Sequence, residues 1–145
     1  MRSTSRRPCS IAFARRFSVR RSRIEGIETA QANVLELHGL PNGWGQYDLI
    51  VSASMLEYVP RERFPDALRG LHGRLREEGR FVLFMTRRNW LTRPMIGKWW
   101  QANLYSADEL REAFRQAGFS SCSFRSFPPA ARHLGVWGYV IEAAP

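Results

Sequence analysis

The fold class is decided by residues 47–86, which read YDLIVSASMLEYVPRERFPDALRGLHGRLREEGRFVLFMT. Two unbroken apolar runs, Leu49–Ile50–Val51 and the run within 80–86, are typical of strands buried on both faces of a parallel sheet. Between them, apolar residues recur every three to four positions, which predicts a helix over 61–78. Gly79 is expected to follow the helix as its C′ glycine. A strand, a helix and a strand in this order predict a βαβ unit.

The C-terminal third of the chain adds a helix and two strands. Ser106–Ala–Asp–Glu109 matches a capping box and predicts a helix that ends at Gly118. Strands are expected at 120–126 and 136–142, where alternating and then continuous apolar residues occur. The whole order predicts an α/β fold with a mostly parallel sheet and an antiparallel strand pair at its C-terminus.

A long irregular connection separates these parts. Residues 87–105 mix arginines and one lysine with four aromatic residues, Trp90, Trp99, Trp100 and Tyr105. Two interpretations stay open: a lid over a substrate, whose rings hold a cationic or planar group, or a hydrophobic cap on the sheet. The segment matches no recognised nucleic-acid-binding module, so nucleic acid is not an expected partner.

Charge divides the chain unevenly. Residues 1–23 contain eight arginines and no acidic residue, so they account for most of the net charge of +9 of the whole chain. This segment is predicted to be a disordered tail, and residues 24–145 a single, nearly neutral domain. A mitochondrial presequence, an arm for an anionic surface and a segment without function remain alternatives for the tail. The expected location is the cytoplasm, or the mitochondrion if the tail is a presequence.

Cysteine and hydropathy patterns exclude other classes. Two cysteines, Cys9 and Cys122, are too few for a disulfide framework or a cysteine zinc site. Three scattered histidines form no metal motif, so no metal site is expected. No apolar run is long enough to predict a membrane-spanning helix.

Four stretches together carry a family resemblance: YDLIVSASMLEYVP, RLREEGRFVLF, YSADELREAFRQAGF and the terminal two-strand unit. They resemble the C-terminal half of the class I S-adenosylmethionine-dependent methyltransferases. The resemblance covers residues 27–145 and implies part of a Rossmann-like three-layer fold with sheet order 3-2-1-4-5-7-6. It also implies S-adenosylmethionine as the cofactor and a small molecule as the methyl acceptor.

The sequence departs from the family at the front of the fold. It has neither the glycine-rich loop after strand 1 nor the acidic residue that ends strand 2, and Gly43–Trp44–Gly45 precedes a strand, as in a turn. We therefore expect a truncated domain that is weakly active or inactive alone. The segment 47–54 should then lie at an open sheet edge, where self-association is expected.

The resemblance also suggests cofactor-binding residues. Asn33 and Val34 align with the motif that contacts adenine, with an ordinary turn as the alternative for Asn33. At the end of the first strand of the βαβ unit, small side chains would leave room for the sulfonium, with plain strand-end packing as the alternative. These small residues are Ser52, Ala53 and Ser54.

No catalytic residue stands out. Glu57 and Tyr58 are weak candidates, Glu57 as a base or as a residue that places the substrate. The competing interpretation of Glu57 is an exposed structural carboxylate. A non-catalytic interaction module with the same fold remains an alternative to a methyltransferase, as does half of a different Rossmann-like enzyme, such as a nucleotide-binding one.

Overall fold

The computed structural model describes residues 19–21, 28–40, 43–88 and 102–145. Contacts divide the chain into two compact units, residues 1–31 and 32–145. The regular elements in chain order are β1 (Val19–Arg21), β2 (Glu28–Ala30), β3 (Tyr47–Ala53), α1 (Phe64–His72), β4 (Leu75–Thr86), α2 (Ala107–Ala117), β5 (Ser121–Arg125) and β6 (Gly138–Ala144). Short 3-10 helices occupy Leu37–Gly39, Leu56–Tyr58, Arg61–Arg63 and Pro129–Val136.

The first unit contains a two-stranded antiparallel ladder. β1 pairs with β2 from Val19 opposite Ala30 to Arg21 opposite Glu28. Three residues of the segment expected to be a disordered tail are therefore in a strand, where ladder hydrogen bonds satisfy the backbone. The rest of the tail lies outside the described residues, and the boundary expected at residue 24 stays a prediction.

The second unit is built on a four-stranded sheet in the order β3-β4-β6-β5. β3 runs parallel to β4, and β6 runs antiparallel to both β4 and β5. This arrangement confirms the α/β class, the βαβ unit and the antiparallel C-terminal pair. It is also the 4-5-7-6 part of the strand order that the family resemblance implies.

One face of this sheet carries the hydrophobic core. Side chains alternate along the second half of β4, so Phe81, Leu83 and Met85 are buried while their neighbours are partly exposed. Both helices add to this core, where the Phe114 ring lies 5.9 Å from the Phe81 ring and 5.0 Å from the Phe119 ring. Both helices, α1 and α2, pack on one face of the sheet. Within the described part of the chain, the sheet and these helices form two of the three expected layers.

β3 lies at the edge of the sheet, and most of it is exposed. Leu49 and Val51 are 54% and 56% exposed. The prediction of a strand buried on both faces was therefore wrong for β3, because only β4 pairs with it among the described strands. Within the part of the chain that the structure describes, the expected open edge is confirmed at β3.

The helix of the βαβ unit is shorter than expected. Its α-helical part ends at His72, and Gly79 lies within β4 instead of after a helix. Pairing shifts between Tyr47 opposite Leu75 and Leu49 opposite Arg80, so extra residues of β4 bulge there. A Cβ at Gly79 would lie 2.7 Å from the Tyr47 carbonyl oxygen, so a close backbone approach requires this glycine.

The capping box at α2 is confirmed. The Ser106 hydroxyl accepts the Glu109 N–H at 3.3 Å, and the Glu109 carboxylate accepts the Ser106 N–H at 2.7 Å. Gly118 ends the helix with φ +99°, which favours glycine. The reciprocal cap satisfies two backbone donors that a helix N-terminus leaves unpaired.

The connection after β4 is described only at its ends. Trp90, Trp99 and Trp100, expected in a lid, lie outside the described residues. Tyr105 is buried and stacks on Phe64 at 4.7 Å, so it belongs to the core. Among the described residues, no helix is long and apolar enough to cross a membrane.

Candidate functional site

The carboxyl end of β3 holds the small residues expected to face a cofactor. Ser52 is 6% exposed, and its hydroxyl has no hydrogen-bond partner in the described part of the chain. Ala53 is exposed and lies opposite Phe84 of β4. Ligands of open α/β folds bind beyond the carboxyl ends of the parallel strands. A buried hydroxyl without a partner beside small residues fits a ligand that supplies a polar atom and needs room.

The backbone at Ser54 is unusual. Its φ of +50° lies in the left-handed region, which is uncommon for residues other than glycine. The Ser54 N–H donates to the Phe84 carbonyl at 2.9 Å, which holds the chain in this conformation as it leaves β3. Such backbone positions concentrate at ligand-binding sites, where the surrounding structure enforces them.

Asn33 and Val34 are anchored elsewhere in the second unit. The Asn33 side-chain oxygen accepts a hydrogen bond from the Leu35 N–H at 3.1 Å. The Asn33 backbone carbonyl accepts one from the Glu36 N–H at 2.9 Å. Asn33 therefore makes the turn that was its alternative interpretation. Its side-chain oxygen has a second lone pair and is therefore able to accept one further hydrogen bond. Val34 and Leu35 pack at the margin of the core.

Glu57 is buried, contrary to the interpretation as an exposed carboxylate. Its residue exposure is 2%, and its carboxylate accepts the Thr86 N–H at 3.0 Å. Its carbonyl accepts the Asn103 N–H at 2.8 Å. Glu57 thus ties the turn after β3 to the end of β4 and to the segment before α2. Tyr58, the neighbouring candidate, is 55% exposed.

A cluster of charges joins the starts of the two helices. Arg61 bonds the Glu109 carboxylate at 3.0 Å and the Leu104 carbonyl at 2.7 Å, and its guanidinium lies 4.4 Å from the Tyr105 ring centroid. Arg88 lies 3.2 Å from the same carboxylate. Burial acts to raise the pKa of Glu109, but hydrogen bonds from Ser106 and the two guanidiniums bring it below its ordinary value. Burial raises the pKa of Tyr105.

A cleft of about 360 Å³ lies at the same end of the sheet as the carboxyl end of β3. It lies where Arg87 follows β4, where Gly138 and Tyr139 open β6, and where β5 ends at Arg125. Four arginines line it: Arg87, Arg111, Arg125 and Arg132. Phe124, Phe127 and Tyr139 add aromatic walls. We call it the arginine cleft.

Sequence reasoning missed both the charge cluster and the arginine cleft. The residues involved are scattered along the chain, and only the sheet order and the packing of α2 bring them together. The alternation of arginine and phenylalanine over 124–132 was the one available signal. No group of three potential metal ligands occurs among the described residues.

Several solved methyltransferases have a similar fold. PigF, solved with SAH, superposes with a TM-score of 0.61 at 23% identity, over 78% of this chain and 34% of its own. The Burkholderia thailandensis 1,6-didemethyltoxoflavin-N1-methyltransferase, with its bound acceptor and S-adenosylhomocysteine, gives 0.56 at 21% identity over 78% and 48%. Human N-acetylserotonin methyltransferase in complex with SAM gives 0.57 at 14% identity over 79% and 32%. The chain thus spans a third to a half of these structures.

Sequence comparison identifies the family. No curated protein matches the chain significantly. A family model described as a methyltransferase domain matches residues 6–123, which is most of the sequence. The match begins inside the arginine-rich segment and continues through β3, α1, β4 and α2 into β5. With the sheet order of the second unit, this match shows that the chain belongs to the methyltransferase-domain family.

Proposed function

We propose that this protein serves S-adenosylmethionine-dependent methyl transfer to a small organic molecule, and that the 145-residue chain alone is weakly active or inactive. The observation that carries the proposal is the carboxyl end of β3. There a left-handed Ser54 follows a buried Ser52, whose hydroxyl has no partner among the described residues, in a fold shared with solved methyltransferases.

The residues at this edge suit the cofactor's reacting part. S-adenosylmethionine supplies a methyl group on a sulfonium, which a nucleophile takes by in-line displacement. Ser52, Ala53 and Ser54 place small side chains at the strand end, where the Ser52 hydroxyl is buried and has no partner among the described residues. Asn33 and Val34 would contact the adenine. We assign Glu57 a positioning role, because its carboxylate is engaged by the Thr86 N–H.

The expected affinity is low. In the family, a glycine-rich loop lets the backbone approach the methionine part of the cofactor, and this sequence contains no D/E-x-G-x-G-x-G stretch. The residues named above therefore supply only part of a complete cofactor site. We expect weak binding that is detectable only at high ligand concentration.

An NMR titration tests where the cofactor binds. ¹⁵N-labelled protein is titrated with S-adenosylhomocysteine to several millimolar, and shifts are expected at Ser52, Ala53 and Ser54. Ala53→Trp should remove them by filling the space, whereas Ser123→Trp, at another exposed strand position, should not. Shifts confined to other regions, or the same shifts in the Ala53→Trp variant, would overturn this site.

The methyl acceptor we propose is a small molecule. The arginine cleft lies at the same edge of the sheet as Ser54 and has the volume of a small-ligand pocket, about 300–1,000 Å³. We further propose a cytoplasmic location. A fluorescent fusion that accumulates in mitochondria would instead support the presequence interpretation.

A second candidate function is a non-catalytic interaction module. The exposed β3 edge favours it, because unpaired backbone groups on an apolar edge strand bind another strand readily. We propose a second copy of this chain as the occupant, since two copies of β3 can pair across a twofold axis. A monodisperse monomer in size-exclusion chromatography at high protein concentration would contradict this pairing.

A further inference from the structure

The arginine cleft has a one-sided charge. Four guanidiniums line it, and no aspartate or glutamate is among its described lining residues. Just outside the cleft, Arg111 pairs with Asp108 at 2.8 Å and Arg125 with Glu142 at 2.8 Å. Arg132 makes no ion pair with any described residue. The cleft therefore keeps an excess of positive charge that an anion would neutralise.

Aromatic rings hold two of these guanidiniums in place. The Arg111 guanidinium carbon lies 4.7 Å from the Phe124 ring centroid, and that of Arg87 lies 5.3 Å from the Tyr139 centroid. Arg87 also donates to the Gly135 carbonyl at 3.3 Å. Stacking of this kind limits the motion of long side chains, so less rotamer entropy is lost when a ligand binds.

The same rings provide apolar surface for the body of a ligand. Phe124 and Phe127 are partly buried, and the edge-to-face pair of Phe124 with Tyr139 has centroids 5.3 Å apart. A flat ring could lie against this wall while its anionic group meets the planar guanidiniums, which suit the geometry of a carboxylate. An inorganic anion would use only the charges.

We propose that the arginine cleft binds a small aromatic anion, of which a carboxylate on a planar ring is the simplest member. The idea that this anion is the methyl acceptor rests on the proposed function, and it restricts the acceptor to anionic aromatic molecules. The binding of the anion itself does not rest on the proposed function, since it needs no cofactor. All four arginines are exposed, so the expected dissociation constant is on the order of 1 mM.

The test is an NMR titration of the full chain with benzoate in the absence of cofactor. Benzoate should shift the amides of Gly135 and Gly138, which line the cleft, whereas the uncharged benzamide should bind about tenfold more weakly. Inorganic phosphate should also bind more weakly, because it cannot use the aromatic wall.

Two arginines on α2 provide a matched control. Arg111 lines the cleft and pairs with Asp108, while Arg115 lies outside and pairs with Glu112 with the same spacing. Arg111→Gln and Arg132→Gln should each weaken benzoate binding about three- to tenfold, and Arg115→Gln should leave it unchanged. Equal binding of benzoate and benzamide, equal binding of phosphate, or unchanged affinity in the two cleft variants would overturn the proposal. The chemical-shift changes that the cofactor causes at Ser54 are measured separately. The cleft proposal and the proposed function can therefore fail independently of each other.

Discussion

The two faces of the four-stranded sheet differ sharply. On one face, Phe81, Leu83 and Ile141 are fully buried under α1 and α2. On the other, Leu49 and Val51 are more than half exposed, and Arg80, Arg125 and Glu142 form ion pairs across the strands. The buried face gives this unit its stability, whereas the exposed face and the β3 edge give it little.

The residues that stabilise the fold are largely distinct from the residues that we propose to bind the cofactor. The core on the covered face is built from residues between Val34 and Ala143, all of which lie in the second unit. The candidate cofactor residues lie at the end of β3, beside the exposed edge. The proposed cofactor residues of β3 thus lie on an edge strand, so a stable fold and weak cofactor binding are expected together.

The largest effect should come from comparing two leucines on opposite faces. Leu83→Ala removes a fully buried side chain and should lower the free energy of unfolding by about 2–5 kcal/mol. Leu49→Ala, at an exposed position, should cost at most about 1 kcal/mol. Urea unfolding followed by circular dichroism measures both. Equal losses would show that Leu49 is covered in solution.

Glu57 should come next. Glu57→Leu removes the acceptor of the buried Thr86 N–H and should lower stability by about 1–3 kcal/mol. Glu36→Leu, at an exposed position, is the control and should change stability by less than about 0.5 kcal/mol. If both variants unfold at the same urea concentration, Glu57 does not tie the turn to β4.

The β3 edge can be tested by adding charge. Leu49→Lys should weaken self-association at least about tenfold, because like charges would meet across the paired strands. Leu134→Lys adds the same charge at a 41% exposed position in the 3-10 helix before β6. Sedimentation equilibrium measures the dissociation constants. The same shift in both variants would mean that net charge, and not strand pairing, controls association.

The cap of α2 should have a smaller effect on the covered face. Ser106→Ala removes one half of the capping box and should cost about 1 kcal/mol. Ser121→Ala, at an exposed strand position, serves as the control for hydroxyl loss. Thermal unfolding compares them. A stability unchanged by Ser106→Ala would indicate that packing alone holds the helix start.

The smallest effect is a pH dependence at the start of α2. The pKa of Glu109 is lowered in the folded state, so its stabilising contribution is present above its ordinary value of 4.5 and is lost as the pH falls below that value. The stability difference between wild type and Glu109→Gln should therefore shrink on acidification. Urea titrations between pH 6 and about pH 3 measure it. A difference that grows toward low pH would reverse the assigned sign.

Local signals predicted much of the fold. The capping box at Ser106, the glycine at 118 and the presence of strands β3 and β4 were confirmed, whereas burial on both faces was wrong for β3. The helix end at Gly79 was wrong. Residues 76–79 read as helical, yet they form a bulge against Tyr47 that depends on strand pairing.

The site was less predictable than the fold. The burial of Glu57 and Tyr105 depends on the segment 102–105, which closes over the turn after β3. The arginine cleft depends on residues from 87 to 139 that meet only after the sheet has formed. The cofactor residues at Asn33, Val34 and Ser52–Ser54 stay predictions, since they rest on family resemblance and on local geometry.

Calorimetric titration of the purified 145-residue chain with S-adenosylhomocysteine tests the central claim most directly. The account predicts a dissociation constant weaker than about 100 µM, because the β3 end supplies only part of a cofactor site. A dissociation constant in the low micromolar range would contradict it, since the exposed β3 end would then suffice for tight cofactor binding.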